Sequence, residues 1–157
     1  MEQVERFLQN NDLRDPEAFD ALLALADLVR GLMAENRQEA LGRVIRYTLE
    51  QGCPEAFSWC MELLQEGLEQ PDSGLTGFEI PLGGAIPDFD GFLERLGADL
   101  RPCGLDTETI LDTHGEVESF YNILIYKTAY PNILLVSAEN FDTKDNDFIQ
   151  YKLVSKS

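Results

Sequence analysis

The chain has 157 residues and carries 29 acidic side chains against 12 basic ones, a formal charge of −17. A hydrophobic content of 44%, with 10% aromatics, is enough to bury a core and excludes general disorder. The charge excludes a surface that attracts nucleic acid or anionic lipid and favours basic proteins or cations.

The acidic residues are unevenly placed. Between Arg46 and Arg95 there is no Lys or Arg, while Glu50, Glu55, Glu62, Glu66, Glu69, Asp72, Glu79, Asp88, Asp90 and Glu94 fall within that span. No apolar run approaches the roughly 18 to 20 residues of a membrane helix. The start, MEQVERFLQNND, lacks a basic segment followed by an apolar one, so no signal peptide is expected. Cys53, Cys60 and Cys103 are odd in number and form no C-x-x-C pair. They read as free thiols in a reducing compartment, which points to the cytoplasm.

The first 70 residues are expected to be helical. Val4, Phe7 and Leu8 share one face of a helix over Met1 to Gln9, which Asn10-Asn11-Asp12 ends. Asp15-Pro16 starts a second helix, with a capping side chain before a proline at the first helical position. It runs to about Asn36 and lines Phe19, Leu22, Leu23, Ala26, Val29, Leu32 and Met33 along a broad apolar stripe. A third helix, about Gln38 to Gln51, carries Leu41, Val44, Ile45 and Leu49 and stops at Gly52. The fourth begins at Pro54 and presents Phe57, Cys60, Met61, Leu64 and Leu68, ending before Pro71.

Residues 71–91 change composition, with five glycines and three prolines, and read as a connection holding a short strand at Phe78-Glu79-Ile80. A short helix from Phe89 to Leu96 follows, then a turn at Arg101-Pro102-Cys103-Gly104. Glu118 to Ala138 is the long apolar run of the chain and reads as a hairpin turning at Thr128 to Asn132. Apolar residues of both parities, among them Ile123, Ile125, Leu135 and Val136, predict strands covered on both faces at the centre of a sheet. A last strand, Phe148 to Ser155, alternates with Ile149, Tyr151 and Leu153 inward and Gln150, Lys152 and Val154 outward. It is expected at or near an edge, where Lys152 and Lys156 discourage further pairing. The expected fold is α+β: N-terminal helical hairpins of about four helices (1–70), the Gly/Pro-rich connection (71–91), and an α/β segment (92–157) ending in an antiparallel β-meander of three or more strands.

An echo runs through the helical half. Pro16-Glu17-Ala18-Phe19 recurs 38 residues on as Pro54-Glu55-Ala56-Phe57. This spacing, and Asp27-Leu28-Val29-Arg30 on the second helix, resemble HEAT-like repeats, and imply two helical hairpins that bury their faces against each other.

Three short stretches resemble catalytic or metal motifs. Asp88-Phe89-Asp90-Gly91-Phe92-Leu93 resembles the first motif of haloacid-dehalogenase phosphatases. A proline precedes it where a central strand should lead in, however, and Phe92 stands where that family has threonine; the aspartates read instead as helix caps. Ile110-Leu111-Asp112-Thr113-His114-Gly115 is similar to the opening metal motif of calcineurin-like phosphoesterases. His114 is the only histidine in the chain, so their two-metal site cannot be completed; one cation on Asp112, His114 and Glu116 is the remnant of that reading. Asp142, Asp145 and Asp147 resemble a calcium loop without its glycine and closing glutamate, and read as a solvated turn.

With one histidine and no phosphate loop, the chain is expected to be non-enzymatic, without cofactor or metal. The leading expectation is an acidic protein-binding module that sequesters a basic partner, as an immunity- or antitoxin-like inhibitor or a nucleic-acid mimic does, binding neither nucleic acid nor membrane. A helical-repeat adaptor or chaperone for peptides and a small metal-dependent hydrolase are the alternatives. The expected binding surface lies on the fourth helix at Glu55, Glu62, Glu66 and Glu69, extended by Asp72 and Glu79. These carboxylates fall at spacings of seven, four and three without a Lys or Arg in the helix.

Overall fold

The helices dock through two three-residue joints of the same construction. The computed structural model describes residues 2–11, 13, 19–70, 78–83, 86–96, 121–130, 132–140 and 149–155. Its first four helices are α1 (Glu2–Asn10), α2 (Phe19–Ala34), α3 (Gln38–Glu50) and α4 (Pro54–Glu69). At the end of α2 the Arg37 amide donates to Leu32 O at 2.9 Å and Asn36 to Met33 O at 3.0 Å. At the end of α3 the Cys53 amide donates to Thr48 O at 2.8 Å and Gly52 to Leu49 O at 3.3 Å. Both are Schellman motifs, and the residue that closes each is left-handed: Asn36 at φ 53° and Gly52 at φ 69°. Arg37 and Cys53 then accept the first amide of the next helix, from Leu41 and Phe57. The chain thus reverses twice without a loose loop.

Beyond the helices lie β1 (Glu79–Gly83), α5 (Phe89–Leu96), β2 (Tyr121–Lys127), β3 (Ile133–Asn140) and β4 (Ile149–Ser155). The sheet is antiparallel in the order β1-β4-β3-β2. The α+β layout and the bounds of α5 agree with the sequence reading, and β1 takes up the strand expected near Phe78.

The sheet order corrects two expectations. Strand β4 lies next to an edge rather than at one, and further pairing does occur there: β1 pairs along it from Glu79↔Val154 to Gly83↔Tyr151. Lys152 does not repel a further strand but donates to Glu79 Oε1 on that strand at 3.0 Å. Among the described residues the edges are β1 and β2, so there the apolar hairpin contributes only β3 to the interior of the sheet. An edge is where a strand containing Pro81, which has no amide hydrogen, can pair. Val154 is buried rather than outward, as are Leu134 and Val136 on the same face of the sheet. Leu135 and Val136 are among the least accessible residues, as expected, at 4% and 3%. Ile123 and Ile125 lie outside the residues whose side chains are described.

One buried cluster joins the layers. It includes Leu25, Leu32, Leu41, Ile45, Met61 and Leu64 from the helices and Ile80, Leu82, Ile133, Leu135 and Leu153 from the sheet. From α5, Phe92 enters it edge-on to Phe57, with ring centroids 5.4 Å apart. Helices one unit apart lie side by side: Arg43 of α3 donates to Glu5 of α1 at 2.7 Å, and Phe19 of α2 meets Trp59 of α4. The apolar stripe of α2 is narrower than its sequence suggests, because Phe19 and Leu23 are 60% and 46% exposed. Leu22, Leu25, Ala26, Leu28, Val29, Leu32 and Met33 already fill the buried side of α2, leaving those two at its rim. The echo positions therefore diverge in burial, Phe57 inside and Phe19 outside.

Among the described residues, no helix is long and apolar enough to cross a membrane.

Candidate partner-binding face

Helix α4 has two sides because its sequence has two periodic sets. Pro54 occupies the first turn, where its missing N–H costs nothing. Ala56, Phe57, Cys60, Met61, Leu63 and Leu64 are buried, and Leu68 is half-buried. Glu55, Glu62, Glu66 and Glu69 are exposed along the other side, as expected. Glu62 and Glu66 stand one turn apart, and Glu66 and Glu69 are also neighbours on the helix surface. No basic residue occupies the last turn, where it would complement the helix dipole.

Four cations of the described residues are engaged elsewhere. Arg43 pairs with Glu5, Arg46 with Glu50, Arg37 with Glu35 and Lys152 with Glu79. Arg46 also donates to Leu82 O at 2.9 Å, tying α3 to β1. Among the described residues, no ion pair reaches the four carboxylates of α4. Glu79, unlike those four, is paired with Lys152 across the sheet. Asp72 lies outside the described residues.

The acidic side of α4 is fixed against the β2–β3 turn. Gln65, buried, accepts from the Asn132 amide at 3.2 Å and donates to Glu69 Oε1 at 2.9 Å. Tyr130 donates its hydroxyl to Ser58 O at 3.3 Å. Burial raises the pKa of the Tyr130 phenol, the charge of Glu62 raises it further, and a hydrogen bond with the Ser58 side chain opposes both. Two contacts seven residues apart on α4 thus hold the turn beneath Glu62. Sequence periodicity located the carboxylates, but the turn contacts join residues 67 and 72 positions apart and carry no local signal.

Trp59 was absent from the sequence reading of this face. It lies half-buried between Glu55 and Glu62 on the same helical row, four residues after one and three before the other. The spacing itself could have found it.

The motifs considered for chemistry divide into those the structure describes and those it does not. Asp88 precedes α5, its carbonyl accepting the Phe92 amide at 3.0 Å. Its carboxylate lies over Gly91, where an added Cβ would sit 2.5 Å from Oδ1. Asp88 thus stands at the helix start, as the capping reading expected, whereas Asp90 lies inside α5 and so does not hold a cap position. Asp112, His114 and Glu116, and Asp142, Asp145 and Asp147, lie outside the described residues, as does Cys103. Among the described residues, no three His, Cys, Asp or Glu side chains gather as a metal site. Cys53 and Cys60 are buried and outside any disulfide, and burial pushes the Cys60 thiol up to about 12.

Comparison with protein-family models, with curated proteins and with solved structures finds no match.

Proposed function

We propose that the chain is an acidic, non-enzymatic protein-binding module that sequesters a basic partner. The observation carrying this reading is the exposed row Glu55, Glu62, Glu66 and Glu69 on a helix with no Lys or Arg, to which no described cation is paired. Natural helix surfaces gain from alternating charge signs, so an unrelieved row forgoes stability that a cationic partner would restore. The excess charge of −17 draws such a partner in, and the row then occludes its cationic site. The turn docked under Glu62 supports the reading by holding that side of the helix in one arrangement. This is how an immunity- or antitoxin-like inhibitor, or a nucleic-acid mimic, acts on its target. Cys53 and Cys60, buried and in no disulfide, suit a reducing cytoplasm. The partner is a protein, with neither nucleic acid nor membrane as ligand.

The test is capture of partners from the source cytosol on the immobilised chain at low and high salt, beside the Glu62→Lys/Glu66→Lys double variant. The expected result is capture of a basic protein that high salt releases and the double variant loses while its circular dichroism is unchanged. Equal capture by the double variant would overturn the reading and leave the charge as solubilising only.

A further inference from the structure

The exposed apolar side chains of the helical layer converge on one seam. Phe19 and Leu23, 60% and 46% exposed, stand one turn apart on α2. The Phe19 ring meets Trp59 of α4 edge-on, with centroids 6.1 Å apart and planes at 88°. Single exposed apolar residues need no explanation, but an aromatic pair with a leucine beside it makes a patch spanning two helices. Acidic residues flank that patch from both elements. Asp20 and Asp27 are exposed on α2, and Glu55 and Glu62 flank Trp59 on α4, with Glu66 a turn further on. Arg30 is exposed one turn beyond Asp27 and marks the cationic end of the seam. An apolar centre with a charged rim is the anatomy of a protein interface, and tryptophan is enriched among the residues that dominate binding there.

We infer that this seam seats a basic amphipathic helix of the partner protein. Its apolar stripe lies on Phe19, Leu23 and Trp59, and its Lys or Arg residues on either flank face Asp20 and Asp27 on one side and Glu55 and Glu62 on the other. The arrangement of the acids argues for a helix: they border the apolar strip from both sides, matching a ligand with cations on both flanks of an apolar stripe. A second copy of the chain is disfavoured as occupant, because a self-complementary contact would set these same carboxylates against one another. The inference rests on the proposal that the acidic face meets a basic partner, and adds the apolar anchors and the shape of the ligand.

Trp59 is the only tryptophan in the chain, so its emission reports directly on the seam. The full chain is titrated with a fluorescently labelled, tryptophan-free peptide of leucine and lysine, its leucines at helical spacing. A peptide of identical composition with scattered leucines, and oligolysine, are the controls. The expected result is a blue shift of Trp59 with the patterned peptide alone, and affinity reduced roughly tenfold or more in Leu23→Ser, as for an anchor at the centre of an interface. Phe19→Ser serves as a second variant, and circular dichroism confirms that both fold. Equal binding of the scattered peptide or of oligolysine would overturn this inference while leaving the acidic reading standing. Absence of binding by any probe would overturn both. Patterned binding that Glu62→Lys/Glu66→Lys does not weaken would remove the acidic reading and the cationic flanks proposed here. A concentration-dependent dimer in sedimentation that Leu23→Ser dissolves would assign the seam to a second copy and overturn the inference.

Discussion

Gly42 of α3 faces the carbonyl oxygen of Pro81 in β1 so closely that a Cβ on the glycine would overlap that oxygen, with Ile80 Cγ2 only 3.3 Å away. Helix and strand meet backbone to backbone, and glycine is what allows the helical layer to reach the edge of the sheet. The obstructing atom belongs to the main chain and cannot swing aside. Gly42→Ala should therefore destabilise the fold by roughly 1 to 3 kcal/mol or more, as overpacking does. Gly31 is the control, since nothing lies within 4 Å of its added Cβ. Gly31→Ala should stabilise by roughly 0.5 to 1 kcal/mol through helix propensity alone. Urea unfolding of the two variants measures the contrast; equal effects would mean that α3 does not press on β1.

Gln65 links α4 to the turn by accepting from the Asn132 amide. Gln65→Leu keeps the apolar bulk but leaves that amide without its acceptor, at a cost of roughly 1 to 3 kcal/mol for a lost buried partner, toward the lower end because the bond is only partly buried. The stronger sign is local: hydrogen exchange at Asn132 and Ile133 should accelerate more than exchange in α2. Uniform acceleration would show that Gln65 acts only through global stability.

Burial lifts the Cys60 thiol from an ordinary 9.0 to about 12. The folded-state value lies above the unfolded one, so this contribution to stability is complete below pH 9 and declines as pH rises toward 12. Unfolding free energy should fall across that window, and Cys60→Ala should flatten the slope while lowering stability at neutral pH. A slope unchanged by the substitution would assign the decline to tyrosines and lysines instead. At pH 8 the native protein should resist alkylation at Cys53 and Cys60, and unfolding should expose three thiols in all.

The parts of the fold legible in the sequence were those with local, periodic causes. Pro54 and Gly52 mark helix ends because a missing amide hydrogen and a left-handed φ act on their own positions. Helix α5 and the buried Leu135 and Val136 follow from spacing and from the doubly apolar run. What failed was non-local. Alternation along β4 reports one polar face but not the strand on its flank, so the pairing of Lys152 with Glu79, 73 residues away, was hidden. In α2, apolar residues cover more of the circumference than its neighbours bury, and spacing alone does not say which edge stays exposed. The candidate site divides the same way: exposure of Glu55, Glu62, Glu66 and Glu69 followed from helical spacing, while Phe19 and Leu23 beside Trp59 required the packing of α2 on α4.

The acidic row opposes stability in two ways. Glu62 and Glu66 repel at i,i+4, costing about 0.2 to 0.5 kcal/mol. Glu66 and Glu69 lie near the negative end of the α4 dipole, where a cation is preferred. Glu66→Lys turns repulsion from Glu62 and Glu69 into attraction and supplies the missing cation. It should therefore raise stability by roughly 0.5 to 1 kcal/mol at low ionic strength, with the gain shrinking as salt screens exposed charges. If the row serves a basic partner, the same substitution should weaken binding of the lysine–leucine peptide even as the midpoint of unfolding moves up. Opposite movement of stability and affinity is the signature of charge kept for binding. A variant that gains stability and binds equally well would show that the row is dispensable surface, whereas one that loses stability would place an unrecognised structural contact at Glu66.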